Sequence, residues 1–495
     1  MRLTRRQFLA ASAAATATAF LPHSRVLGAN DTVRVAVIGL RWKGSEHVVA
    51  FRKIPGVQVA TLCDVDTAML DRELAKLAKD NRTATTCTDL RKVLDDKSID
   101  AVVVATPNHW HALATIWACQ AGKDVYVEKP VSYSIWEGRQ MVAAARKHNR
   151  LVQAGTQTRS DQGIPDLIAD LRQGLLGKIQ HIRAVNYNYR PSIGKVAGPQ
   201  APPATVNYDL WSGPASVRPI MRQSFHYDWH WQWLYGGGEC ANNGPHYLDV
   251  CRWILGRPDL PPRVLSVGGR VGYIDDGETP NTQLTLLDYP GTPVIFEIRG
   301  LPRQHSANTA KPTIRGPGGA AVDEPMDAYR GLRQGVIVQC EGGYYAGSLS
   351  GGWVFDNAGK KVKQILQKGP EQHQANFIDA VRSRKREDLH AEILEGHLST
   401  SLCHLANASI RLGKVMKPEE IRDAVKSDAL LAEAFDRLGP HFKANEVDLA
   451  QTPLHLGPVL SVDSAAERFT GDRAAEANAL LRREYREPFV IRDEV

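Results

Sequence analysis

Val33-Arg34-Val35-Ala36-Val37-Ile38-Gly39-Leu40-Arg41-Trp42-Lys43-Gly44 is the stretch that decides the fold. It reads as a strand that runs into a glycine turn, and Ser45 to Lys53 continues it as a helix. A second strand, Val57-Gln58-Val59-Ala60-Thr61-Leu62-Cys63, ends on Asp64, 20 residues beyond Gly44. A strand, a glycine turn, a helix and a second strand closing on an acid at this spacing form the dinucleotide-binding pattern. The helix N-terminus receives the pyrophosphate and the acid meets the ribose hydroxyls. An acid there also repels a 2′-phosphate, so the expected cofactor is NAD. Gly39, Arg41, Trp42, Gly44 and Asp64 are its first candidate contacts. One position departs from the pattern: Arg41 stands where G-x-G-x-x-G has its middle glycine. A Cβ there crowds the dinucleotide, whereas a guanidinium can pair with phosphate.

Further along, Ile99 to Ala105 is an apolar β-branched run that ends in Thr106-Pro107-Asn108-His109-Trp110-His111. A helix from Ala112 to Ala121 and a strand from Val125 to Val127 come next, and the strand ends on Glu128-Lys129-Pro130. Alternating strands and helices of this length predict a doubly wound parallel sheet. Ligands of such sheets bind at the carboxyl edge, which puts Thr106, Asn108, His109, Glu128 and Lys129 in the site. Pro130 has no N–H to donate, so it stops the strand and aims Lys129.

Taken with Gly155-Thr156-Gln157-Thr158-Arg159-Ser160, these motifs resemble the glucose-fructose oxidoreductase/inositol dehydrogenase/MocA (Gfo/Idh/MocA) family over about residues 32–412. The resemblance implies an N-terminal Rossmann domain, a C-terminal α/β domain with an open mixed or antiparallel sheet, sugar-like substrates, and Gln157 at the cofactor. It also implies a homo-oligomer, because the open sheet face of such domains pairs between subunits. In the family, one helix of the second domain carries an acid and, four residues later, a histidine that faces the nicotinamide. Here those positions are Asn242 and His246. An amide orients an imidazole without stabilising its cation, so Lys129 and His246 become the acid/base candidates, with Asp249 and Tyr189 as further proton-transfer candidates.

Between these motifs, Ile179 to Tyr189 reads as an alternating strand, and Pro191 to Pro219 as a Pro- and Gly-rich insertion that covers something. Phe225 to Tyr235 is the densest aromatic run in the chain. Flat aromatic faces alternating with hydrogen-bonding groups suit a sugar. Tyr208, Trp211, His226, Trp229, Trp231 and Arg159 are the candidate substrate contacts.

Thr4-Arg5-Arg6-Gln7-Phe8-Leu9, the apolar run Ala10 to Leu21 and small residues up to Ala29 read as a twin-arginine export signal, which predicts a periplasmic protein. The domains expected are therefore 1–29 (signal), 30–155 (Rossmann), 156–412 (substrate and oligomerisation) and 413–495 (C-terminal extension). The signal holds four arginines and no acid, so its removal would lower the formal charge from +7 to +3. That gives no electrostatic case for nucleic acid, and no stretch of the mature chain reads as a membrane span. The seven cysteines are scattered without metal-ligand spacing, so no metal is expected. Free NAD is not expected outside the cytoplasm, so the cofactor should be tightly held and regenerated within the cycle. Three functions fit: a sugar oxidoreductase; an NAD-dependent glycosidase that works by transient oxidation and elimination; and, from another class, a non-catalytic carbohydrate-binding protein.

Overall fold

The computed structural model describes residues 32–306 and 324–495. The proposed export signal lies outside the described residues. The first sheet consists of β1 (Val33–Ile38), β2 (Val57–Cys63), β3 (Thr85–Cys87), β4 (Ala101–Val104), β5 (Asp124–Val127) and β6 (Val152–Ala154). Their order is β3-β2-β1-β4-β5-β6, and every pairing is parallel. A parallel sheet needs a crossover on its face between strands. Helices α1 (Trp42–Phe51), α2 (Thr67–Lys79), α3 (Leu90–Asp95), α4 (Asn108–Gln120) and α5 (Ile135–Lys147) fill that role. The order reverses between β1 and β4, so the chain leaves them in opposite directions and a crevice opens at their carboxyl ends.

The predicted helix Ala112–Ala121 begins earlier than expected, at Asn108, because Pro107 supplies the residue before the first turn. His109, Trp110 and His111 are therefore helical and buried instead of lying on a loop.

The second sheet is mixed. The strands at its centre are β7 (Ile179–Tyr187), β8 (Arg263–Gly269), β9 (Thr282–Leu287), β10 (Val294–Arg299) and β11 (Gln334–Cys340). The outer strands are β12 (Gly343–Ser348), β13 (Gly351–Asp356) and β14 (Lys361–Leu366). At the other end, β15 (Lys414–Val415) and β16 (His455–Leu456) come from the C-terminal extension, which adds strands to the second sheet. The main path runs β14-β13-β12-β11-β7-β10-β9-β8-β16-β15 among the described residues.

One face of this sheet packs on α6 (Gly238–Leu255) and α7 (Ile393–Arg411), with Phe296, Leu248, Leu402 and Cys403 in the core. The opposite face is covered over β8–β10 by Ile421, Leu431, Phe435 and Phe442. The last residues turn back to the first sheet, where Phe489, Ile491 and Val495 join the core around Trp110 and Leu113. No helix among the described residues is long and apolar enough to cross a membrane.

Candidate active site

The carboxyl edge of the first sheet opens into a cleft of about 450 Å³. At the end of β1 the chain turns at Gly39, whose φ is +85° and where a Cβ would sit 2.7 Å from the Ala105 carbonyl oxygen. Only glycine fits there without strain. At Gly44, on the first turn of α1, a Cβ would lie 1.7 Å from the Gly39 carbonyl oxygen, so the helix rests directly on the turn. Arg41 between them caps α1 at φ −67°, ψ 178°, a conformation open to any residue. Its Nη1 donates to the His226 carbonyl at 2.7 Å. The arginine thus ties the glycine turn to the insertion that comes after the second domain's first strand.

Asp64 closes β2. Its carboxylate accepts from Leu40 N at 2.6 Å and from Asp66 N at 2.9 Å. Burial pushes this carboxyl up to about 6 despite those two bonds. Thr106, at the end of β4, lines the cleft with its Oγ1 buried and without a partner among the described residues. A glycine cradle, an acid at the second strand end and an unsatisfied hydroxyl between them fit a dinucleotide. When bound, NAD would be held by Gly39, Arg41, Trp42, Asp64, Thr106 and Asn108.

The reactive end is built from β5 and α6. Glu128 is buried, with Oε1 2.9 Å from His47 Nε2 and 3.2 Å from Gln157 Nε2, which donates to it. Burial works against its charge, but the His47 hydrogen bond and the Lys43 and Lys129 ammonium groups hold the carboxyl well below the usual range. Lys129 Nζ donates to the Asn242 carbonyl at 2.8 Å. Burial draws the lysine down while Glu128 and Glu239 oppose it. A depressed lysine at a ligand site is poised to pass a proton. His246 lines the same cleft, and burial together with Lys129 pushes its imidazole down to about 3.

Asn242 turns its side chain the other way, donating to Glu239 at 3.2 Å. Glu239 is buried and also accepts from Arg190, Asn186 and Asn243. It supplies a negative charge one helical turn before the position where the family has its acid.

The third wall is the insertion, residues 191–235. It is stitched to the end of β2 by Asn207 N to Val65 O at 2.9 Å, by Thr67 N to Thr205 O at 3.0 Å, and by His226 Nε2 to Asp66 at 2.9 Å. Trp211, His226, Tyr227, Trp229 and His230 face the cleft from it.

Residues 33–156 match the model of an oxidoreductase family, NAD-binding Rossmann fold, and residues 171–319 match that family's C-terminal alpha/beta domain. The two matches together take in more than half of the chain. The chain belongs to the Gfo/Idh/MocA oxidoreductase family.

Among curated relatives of this Gfo/Idh/MocA protein are glycosyl hydrolase family 109 proteins of Shewanella sp. (strain W3-18-1) and Shewanella putrefaciens. They are 33% and 32% identical over 159 residues, 30% of this chain and 34% of theirs. The chain thus matches about a third of the length of these relatives. Among solved structures, the WlbA dehydrogenase of Bordetella pertussis in complex with NADH and UDP-GlcNAcA superposes with a TM-score of 0.53 at 18% identity. The match covers 77% of this chain and 97% of that one. GenD2 from gentamicin A biosynthesis, in complex with NAD, gives 0.53 at 18%, over 78% and 96%. At such identity the likeness is one of fold.

Several residues expected in the site of this Gfo/Idh/MocA chain lie elsewhere. Asp249 is fully buried in an ion pair with Arg159 at 2.8 Å and accepts from Ser399 Oγ at 2.6 Å. The pair ties α6 to the turn at residues 157–160 and Ser399 ties Asp249 to α7, so neither Asp249 nor Arg159 reaches the cleft. Tyr189 packs with Val185, Tyr187 and Met326 on the far side of the second sheet, because β7 alternates and its odd positions face away from α6. His109 is buried with Nε2 2.9 Å from the Trp211 carbonyl, where it props the insertion. Gly44 acts through helix packing and does not line the cleft. Tyr208 donates to the Arg218 carbonyl within the insertion, and Trp231 is buried under Arg190. Asn242 orients Glu239, not His246. Lys43, Tyr227, His230 and Glu239 were missed. His230 sat in the aromatic run already singled out, and Glu239 heads the helix of Asn242 and His246.

Proposed function

We propose that this chain is an NAD-dependent oxidoreductase that acts at a CH–OH group of a carbohydrate and keeps its cofactor through the catalytic cycle. The observation that carries this reading is that one cleft gathers the glycine turn and Asp64 with Lys129, His246 and the aromatic wall of the insertion. Bound NAD would accept hydride from a substrate C–H, which is the hard chemical step. Lys129 would take the hydroxyl proton, its ammonium kept acidic by burial and its position fixed by the Asn242 carbonyl. Glu128 would hold the charge balance around Lys129. Trp211 and Trp229, packed in the aromatic core of the insertion, would give a sugar ring an apolar wall and exclude water from it. The strap from the insertion to Val65, Asp66 and Thr67 lies over the end of β2, which supports slow release of the dinucleotide.

The test is to purify the protein, denature it and assay the supernatant for NAD. The native holoenzyme is then offered a panel of free hexoses and 4-nitrophenyl hexosides while absorbance at 340 nm is followed. Stoichiometric NAD that a panel member reduces supports the reading. A protein that neither carries nor binds NAD refutes it and brings forward a non-catalytic carbohydrate-binding role.

A second reading, an NAD-dependent glycosidase that acts by transient oxidation and elimination, draws on the curated relatives named as glycosyl hydrolases. Release of 4-nitrophenol without added cofactor separates it from simple dehydrogenation. The reading also keeps two expectations from the sequence. One is twin-arginine export to the periplasm, checked by fractionating cells that carry the wild-type or Arg5→Lys/Arg6→Lys leader. The other is a homo-oligomer, checked by light scattering. Since the C-terminal residues already cover β8–β10, self-pairing would use the half-buried Tyr344, Trp353 and Phe355 of β12 and β13.

A further inference from the structure

Hydride removal needs one group to take the hydroxyl proton. Lys129 has that role in the proposed oxidoreductase, and a role for any second base rests on that function. The cleft holds such a group. His230, on the insertion, stacks on Trp229 with ring centroids 3.6 Å apart and planes 20° apart. Its Nδ1 is 2.6 Å from the Tyr227 carbonyl oxygen. A carbonyl only accepts, so Nδ1 carries the hydrogen and Nε2 keeps its lone pair. The indole fixes the ring plane, and no partner among the described residues engages Nε2. The ring lines the cleft that Lys129 and His246 line from β5 and α6. Burial pushes the imidazole down to about 3; the Tyr227 hydrogen bond and Glu239 oppose this, and Lys129 and Arg190 add to it. At neutral pH the side chain is therefore an uncharged base of fixed tautomer.

We propose that His230 is a catalytic base of this site, its Nε2 removing a proton from a carbon next to the carbonyl of a transiently oxidised glycoside. The carbonyl is made by hydride loss to the nicotinamide cofactor. The C–H bond then breaks toward Nε2, and its electron pair forms a carbon–carbon double bond. The C–O bond to the aglycone breaks with its own pair, and the departing oxygen takes the proton from the imidazolium. His230 ends neutral, and the products are an unsaturated keto-sugar and the free alcohol. Dehydrogenation is served by Lys129 and His246, so a further base in the same cleft is left for the elimination, and His230 narrows the substrate from carbohydrates in general to glycosides.

The experiment takes the hexoside of the panel that reduces the bound NAD and incubates it with holoenzyme in D₂O. Proton NMR of the recovered hexoside measures deuterium gained at carbons next to the oxidised one, and stopped-flow absorbance measures hydride transfer. In the wild type, exchange outpaces the buffer reaction. In His230→Gln, the ratio of exchange to hydride transfer falls by about 100-fold or more, the scale of a lost general base. An unchanged ratio, or a wild type that reduces NAD without exchange, overturns the proposal while leaving the oxidoreductase reading intact. A second measurement does not depend on the variant's fold: ¹⁵N NMR of the histidine-labelled wild type should show His230 protonated at Nδ1 alone. A hydrogen on Nε2 at neutral pH would equally overturn it.

Discussion

Replacing Gly44 by alanine tests the joint between helix and turn on which cofactor binding depends. The new Cβ would lie 1.7 Å from the Gly39 carbonyl oxygen, which is backbone and cannot swing aside as a side chain would. Restoring ordinary contact needs a displacement of about 1.5 Å between α1 and the turn in a core packed at crystal-like density. The helix is held by buried Val48 and Phe51, and the Phe51 ring meets Tyr126 and Phe377 edge-on, so moving it disturbs a three-ring cluster. Overpacking of this kind costs up to about 3 kcal/mol, which falls on the fold if the helix stays in place and on the binding edge if it moves. If α1 gives way, its first-turn N–H groups move off the pyrophosphate, and about 3 kcal/mol corresponds to roughly a 100-fold loss of affinity. Purified G44A should therefore carry far less NAD than wild type or unfold at lower urea. Stoichiometric NAD together with an unchanged urea midpoint would refute the close-packing argument.

Lys129→Met should slow hydride transfer by about 100- to 10,000-fold while NAD stays bound, read as single-turnover absorbance at 340 nm; wild-type rates would remove Lys129 from the mechanism. Burial favours the neutral form of Asp64. The cofactor-free protein therefore keeps this contribution to stability below the ordinary value of 3.8 and loses it as pH rises through about 6. NAD binding runs the opposite way, since ribose hydroxyls need the ionised acceptor: affinity should fall below about pH 6, and Asp64→Asn should abolish that dependence in calorimetric titrations. Asp249→Asn should destabilise the fold by about 3 kcal/mol in urea, because it removes a buried charge partner of Arg159 and leaves that guanidinium with Glu395 alone, with hydride transfer in the folded fraction unchanged. A large loss of transfer rate in folded D249N would return Asp249 to the reaction.

The sequence alone determined the parts governed by short-range rules. Gly39, Gly44 and Asp64 could be read because backbone conformation and strand length fix their spacing. Glu128 and Lys129 could be read because Pro130 ends their strand at the sheet edge. Within the second domain, Asn242 and His246 were placed by the resemblance to the family and not by a local signal. Only the tertiary structure decided which polar side chains face one another across elements distant in the chain. Arg159 and Asp249 looked functional until α6 and α7 were seen to bury them as a pair, and Tyr189 fell on the far face through strand alternation. Arg41 changed from an obstacle into a tether once the carbonyl of His226, 185 residues on, was placed beside it. His230 could not be separated from its aromatic neighbours by sequence, because every residue of that run has the same composition signal. What distinguishes it is a carbonyl on one ring nitrogen and no partner among the described residues at the other, and such an arrangement exists only once the chain has closed on itself.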